Sequence, residues 1–226
     1  MNRCFVLLAA LLLSACVGGA GNSVPSVTYD FGLPVARLAV GGAWPGLSLE
    51  VRSPPWFDST NVDYRLAYAD PLTRRQYVGS RWAGAPAQLI AQRLRQQLGV
   101  VSATANSATD CLIRVELQEF SQVFDSAQSS RAVLQAGVSL INSKRRVIAE
   151  RRFVIEKSAI TQDARGGVAA LVQAGTELGR QTAAWLADSR SGTAGKIYPD
   201  RMRSYPHRYL HRLFLLHHFL YFHFFE

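Results

Sequence analysis

Histidine is missing from residues 17 to 206; all five (His207, His211, His217, His218 and His223) fall in the last twenty residues. The body of the chain therefore holds no Ser-His-Asp or Cys-His nucleophile and no imidazole metal site. Cysteine is nearly as scarce, with only Cys4, Cys16 and Cys111. Long apolar stretches are missing too: the run from Phe5 to Leu13 is nine residues, where a membrane-spanning helix needs about 20. No phosphate-cradling loop is present either, since Gly166-Gly167 lacks the lysine and the spacing such a loop requires. No cofactor and no metal is expected.

The formal net charge is +9, but it is dispersed. From 17 to 195 there are 19 basic and 14 acidic residues, a net of +5, with clusters only at Lys144-Arg145-Arg146 and Arg151-Arg152. A nucleic-acid footprint is not expected. Solvated surface, anionic lipid headgroups or an acidic partner fit such a distribution.

The first sixteen residues are the most informative. Met1-Asn2-Arg3 supplies a positive start, the apolar run follows, and Leu13-Ser14-Ala15 places small residues before Cys16. That is secretory-signal grammar, and the cysteine makes it a bacterial lipobox. Cleavage before Cys16 and acylation of its thiol and amino group are expected; several acyl chains of the palmitate kind hold a protein on a membrane where one does not. Val17 is not the aspartate that retains many such lipoproteins at the inner membrane, which favours the periplasmic face of the outer membrane. With Cys4 lost and Cys16 acylated, Cys111 stands alone as a small buried hydrophobe, so no intrachain disulfide is expected and the fold rests on its core.

Four segments follow: residues 1–15 as signal peptide, 16–28 as a flexible tether, 29–190 as one α+β domain, and 191–226 as an atypical tail. Cleavage leaves about 210 residues, enough for a proper core. Residues 38–40 and 47–51 predict one or two strands. Pro54-Pro55-Trp56 predicts a stiff exposed loop, and Asn61–Tyr68 with Arg74–Gly79 a hairpin turning at Asp70-Pro71-Leu72-Thr73. A helix is predicted from Pro86 to a stop at Gly99, with Ile90, Leu94 and Leu98 inward and Gln88, Gln92, Arg93, Arg95 and Gln96 on a wet side. Cys111–Gln118 alternates as a strand; Ala132–Leu140 and Val147–Glu156 follow around a turn at Asn142-Ser143-Lys144. A second helix is predicted over about 162–187, with Asp163 in its first turn and Val168, Leu171, Val172, Gly175, Leu178, Gly179, Thr182 and Trp185 inward. The order is β-β-β-α-β-β-β-α, a mainly antiparallel sheet covered on one face by two helices. The tail, with nine of twenty-three aromatics in residues 197–226, fits no core pattern.

The middle of the chain resembles the ABC-type transport auxiliary lipoproteins, the PqiC/YmbA-like family. The resemblance runs through Tyr29-Asp30-Phe31-Gly32, Phe57-Asp58, Val62, Tyr64-Arg65, Tyr77, Arg81-Trp82-Ala83, Pro86, Phe124-Asp125 and Trp185-Leu186, over about 29–188. Pro54-Pro55-Trp56 and the tail depart from the family pattern. The resemblance implies a non-enzymatic outer-membrane component of a lipid-transport system. Its implied partners are an inner-membrane permease, an ATPase, an MCE-domain (MlaD-like) protein and the phospholipid membrane; homo-oligomers are also compatible with it.

Candidate partner contacts are Trp56, Tyr64, Arg65, Tyr68, Arg81 and Trp82, aromatic and arginine side chains of the kind desolvated contacts favour, each with core or edge packing as its alternative. An enzyme would need paired carboxylates; Glu116 and Glu119, three apart on one strand, are expected on opposite faces. A structural lipoprotein that binds peptidoglycan or braces another outer-membrane complex is the competing role. For the anchor, Cys16→Ser is expected to give a soluble or uncleaved product; a variant of normal size that still pellets with the outer membrane would show that lipid is not the tether.

Overall fold

The computed structural model describes residues 26–38, 46–103 and 111–190; the predicted signal peptide, Cys16, most of the tether and the tail lie outside them. The elements are β1 (Val27–Tyr29), β2 (Leu47–Arg52), a 3-10 turn (Pro55–Phe57), β3 (Asn61–Leu66), β4 (Asp70–Trp82), α1 (Pro86–Leu98), β5 (Val101–Ser102), β6 (Cys111–Ser126), β7 (Ser129–Asn142), β8 (Val147–Ser158) and α2 (Ala164–Arg190). This is an α+β fold, with four strands rather than three on each side of α1.

The sheet is mixed, so the mainly antiparallel expectation is met in part. β6, β7 and β8 form the antiparallel meander that alternation predicts, and β3 pairs β4 antiparallel. On its other side, however, β6 accepts two parallel neighbours in tandem: β2 along residues 111–116 and β3 along 122–124. β1 and β5 join β4 and β2, also parallel. Local alternation marks a strand but says nothing of its neighbour's direction, which a long crossover through α1 decides.

β6 is sixteen residues long, twice the predicted eight, and a bulge between Leu117 and Glu119 explains the shortfall. Ile113, Val115 and Leu117 point into the core, and after the extra residue Phe120, Gln122 and Phe124 do so. The reversal of parity reads in the sequence as a broken alternation. The β3–β4 turn also sits earlier than predicted, at Ala67-Tyr68-Ala69, where Ala69 N–H bonds the Leu66 carbonyl (3.0 Å). Asp70, taken for a turn residue, starts β4; its carboxylate accepts from Leu72 N–H (3.0 Å) and the Thr73 hydroxyl, a local pattern that imitates a turn.

α1 begins on Pro86 and stops at Gly99, whose φ of 64° closes the helix by an N–H bond to the Arg95 carbonyl. Ile90, Leu94 and Leu98 are buried as predicted. Arg93 is not on the wet side: it is buried, its guanidinium donating to the carbonyls of Phe31 and Leu33 and strapping the segment after β1 onto the helix. α2 lies on the β6–β7–β8 meander and against α1. It approaches so closely that a Cβ at Gly167 would stand 2.0 Å from Gln122 Oε1, and one at Gly179 2.0 Å from Gln97 Oε1. Phe31, Trp82 and Phe120 meet between helices and sheet with ring centroids 5.7 to 6.2 Å apart. Cys111 is half-buried against this core.

Asp163 stands just outside α2 rather than in its first turn. Its Oδ1 accepts from Gly166 N–H (2.8 Å) and the Thr161 hydroxyl (2.7 Å), and these bonds hold its carboxyl below the ordinary 3.8. A lowered folded value stabilises above the ordinary pKa and the benefit is lost as pH falls through it. Asp163→Ala should therefore cost about 1 kcal/mol at neutral pH, measured by denaturant unfolding, and the gap from wild type should close as pH drops below 3.8.

Candidate functional site

The face of the sheet away from the helices is polar, and one cluster organises it. Asp63 and Arg65 of β3, Arg74 of β4 and Glu119 of β6 converge there. Glu119 Oε2 accepts from Arg65 Nη2 (3.0 Å), and Oε1 accepts from Arg74 Nη2 and from Phe120 N–H, at 2.9 and 3.0 Å. Arg74 Nη1 donates to Asp63 (2.9 Å), and its guanidinium lies 4.3 Å from the centre of the Phe57 ring. Arg65 also donates to the carbonyls of Pro71 and Leu72, both at 3.3 Å, clamping the start of β4. Burial pushes the Asp63 carboxyl above its ordinary 3.8, against the opposing pull of Arg74.

The bulge that reverses the parity of β6 also places Glu119 on the same face as Glu116: the two lie opposite Gln135 and Gly137 of β7. The expectation of opposite faces is thereby corrected. Both oxygens of Glu119 are engaged by the arginines and by backbone, so its place here is as a hub joining three strands.

The six predicted contact residues separate into three groups. Trp56 is 76% exposed on the 3-10 turn and Tyr68 52% exposed at the β3–β4 turn; Arg81 is exposed on β4. Arg65 belongs to the ion cluster. Tyr64 turns to the helix side, half-buried, its ring 4.5 Å from that of Tyr77 and 5.9 Å from that of Phe124. Trp82, 2% exposed, is a core residue and offers no surface. Its sequence neighbour Arg81 sits on the other side of the strand, the ordinary result of alternation.

Two features escaped the sequence reading. Leu72 and Val78 of β4 are 89% and 85% exposed, each in a stretch where the pairing of β4 with β3 is irregular. Under the helices, Gln122 is fully buried, accepting from the Tyr77 hydroxyl (2.8 Å) and donating to Ser130 Oγ (2.8 Å); burial, with Tyr64 alongside, pushes the Tyr77 hydroxyl well above the usual phenol range. A cleft of about 440 Å³ opens between β2 and α1, where Glu50, Asp58, Gln88 and Arg95 alternate with Val51 and small residues. That lining suits water and polar groups better than an acyl chain. No helix among the described residues is long and apolar enough to cross a membrane.

The model of a family described as the ABC-type transport auxiliary lipoprotein component matches residues 50–183, more than half of the chain. The chain belongs to that family. Among solved structures, it is similar to a Xanthomonas campestris protein of the DUF330 family, at 18% identity and a TM-score of 0.60, over 75% of this chain and 100% of that one. A second, an uncharacterized protein, matches at 17% identity and a TM-score of 0.55, over 71% and 97% of the two chains. At such identities these likenesses speak for the fold. No curated protein matches the chain. The auxiliary lipoprotein thus carries a charged hub on its helix-free sheet face and exposed apolar side chains at Trp56, Tyr68, Leu72 and Val78.

Because Glu119 stands between two guanidiniums that are themselves only about one-fifth exposed, removing its charge leaves them without a common acceptor. Glu119→Gln should lower unfolding free energy by about 1–3 kcal/mol. Asp63→Asn should cost less, since burial already disfavours that carboxylate. Equal midpoints for wild type and Glu119→Gln in a denaturant titration would remove the hub role.

Proposed function

We propose that the protein is a non-catalytic auxiliary component of an ABC/MCE-type lipid-transport system. In this reading Cys16 anchors it to the periplasmic face of the outer membrane, and its sheet face docks an MCE-domain protein whose permease and ATPase sit in the inner membrane. The observation that supports the docking is the exposure of Trp56 on the 3-10 turn, Tyr68 at the β3–β4 turn and Leu72 and Val78 on β4, whose pairing is braced by the Arg65, Arg74 and Glu119 hub. Large apolar side chains on ordered backbone bind at low entropic cost, and arginine at their rim supplies orientation. Tethering adds the high local concentration that a modest contact needs.

Pull-down of the full lipoprotein from detergent-solubilised envelopes tests the reading. An MCE-domain protein should co-purify, and Trp56→Ala combined with Leu72→Asp should reduce its recovery at least ten-fold with an unchanged melting temperature. Recovery of wall fragments or a barrel in place of the MCE protein would assign the structural role, and undiminished recovery by the variant would place the contact elsewhere.

A further inference from the structure

The turn between β7 and β8 gathers cations that the fold does not use. Lys144, Arg145 and Arg146 are exposed, and none makes an ion pair among the described residues. The turn itself is ordered by its backbone. Arg145 N–H donates to the Asn142 carbonyl (2.9 Å), Asn142 N–H to the Arg146 carbonyl (3.0 Å), and Arg146 N–H to Asn142 Oδ1 (3.0 Å). Arg145 holds a φ of 59°, and among the described residues it is the one non-glycine in the left-handed region. Glycine takes that conformation freely, whereas a residue with a Cβ does so at a cost. Strain kept where the side chain joins nothing inside the fold points to a contact outside it.

Charge is divided along the length of the sheet. At the opposite end, beside the β6–β7 turn, Arg131 is tied to Asp125 and Glu156. At the β7–β8 turn the cations are followed by Val147 and Ile148, each more than half exposed, and the first acid is Glu150. α2 runs toward this end, from Gly167 beside Gln122 to Trp185 beside Phe153. The chain beyond Arg190 therefore starts here, and residues 196–226 hold five Lys and Arg against Asp200 and Glu226. Unpaired cations beside aliphatic side chains suit the headgroup region of a bilayer.

The tether is long enough to bring this end to a membrane. Cys16 stands eleven residues before Val27, which an extended chain turns into about 36 Å. Val27 pairs with Ser80, level with the middle of β6 and β7. From there to the turn is about eight strand residues, or roughly 25 Å.

We propose that the β7–β8 turn rests on the bilayer that holds Cys16, with Lys144, Arg145 and Arg146 against the phosphates of anionic phospholipid. The domain then stands on end, and the β3–β4 turn with Tyr68 faces away from the membrane. The contact rests on the Cys16 anchor and on no particular partner or cargo. Each cation at an anionic surface strengthens binding about five-fold, so the three together give roughly a hundred-fold.

The test places the full lipoprotein in vesicles of phosphatidylethanolamine and phosphatidylglycerol, or of phosphatidylcholine alone. A fluorophore on Ser143→Cys should be quenched by headgroup nitroxide lipid in the anionic vesicles and at least about ten-fold less in the neutral ones. The same label on Gln128→Cys, at the other end, should be quenched in neither, and the unsubstituted chain supplies the background from Cys111. Arg145→Gly should weaken the turn's contact about five-fold while its melting temperature stays level or rises, because glycine relieves the strain. Adding Lys144→Gln and Arg146→Gln should abolish it. Equal quenching in both vesicles, quenching at Gln128→Cys, or a triple variant whose turn is still quenched would overturn the proposal; in the last case, loss of a co-purifying acidic protein would assign the cations to that partner. Flotation with the neutral vesicles reads the anchor separately. A chain that does not float there lacks the lipid, and the proposal falls with its anchor; one that floats without quenching at the turn keeps the anchor and refutes the contact alone.

Discussion

Strand β6 is the member on which the remaining structure depends. It hydrogen-bonds to β7 along its whole length and, on its other side, to β2 and then β3. Such a strand has to keep an apolar face toward the helices for sixteen residues while passing through two different neighbourhoods. The bulge at Leu117–Glu119 reconciles these demands. It keeps Phe120, Gln122 and Phe124 under the helices, and it turns Glu119 outward at the point where β3 and β4 supply arginines. A regular strand would send Glu119 into the core or Phe120 into water, and neither is tolerable energetically.

The two faces that β6 separates are held in different ways. Beneath the helices the contact is apolar and close, with glycines of α2 letting its backbone approach Gln122 and Gln97. The polar side chains that remain there are matched in part by one another, as in the Tyr77, Gln122 and Ser130 chain. On the opposite face, charges do the joining: Arg65 and Arg74 tie β3 and β4 to β6 through one carboxylate. The dry side fixes the shape, while the ion pairs of the other side join the strands there.

The elements that sequence reasoning located well are those whose signal is local. The alternation of Ala132, Leu134, Ala136, Val138 and Leu140 is the buried face of β7, and Pro86 and Gly99 do bracket α1. The elements it misplaced involve partners far along the chain. Asp70-Pro71-Leu72-Thr73 carries turn chemistry yet lies in β4, because Leu66 pairs with Asp70 and tightens the hairpin three residues earlier. Arg93 falls among wet residues on α1, yet the carbonyls of Phe31 and Leu33, sixty residues away in sequence, draw it inward. For the candidate surface, Trp56, Tyr68 and Arg81 are exposed, whereas Trp82 is consumed by the core.

By itself the sequence determined the class of the molecule: an α+β domain, two helices and a three-strand meander, with a family resemblance that the match over residues 50–183 bears out. These are consequences of periodicity, capping and residue type, which act over a few residues and need no knowledge of the far chain. Tertiary structure alone decided that β2 and β3 would run parallel to β6, that Glu119 would share a face with Glu116, that Arg93 and Trp82 would be buried, and that β8 would be left as the long edge. Each of these depends on which distant segment arrives alongside. That is set by the summed burial and hydrogen bonding of the whole sheet, a quantity no local window contains.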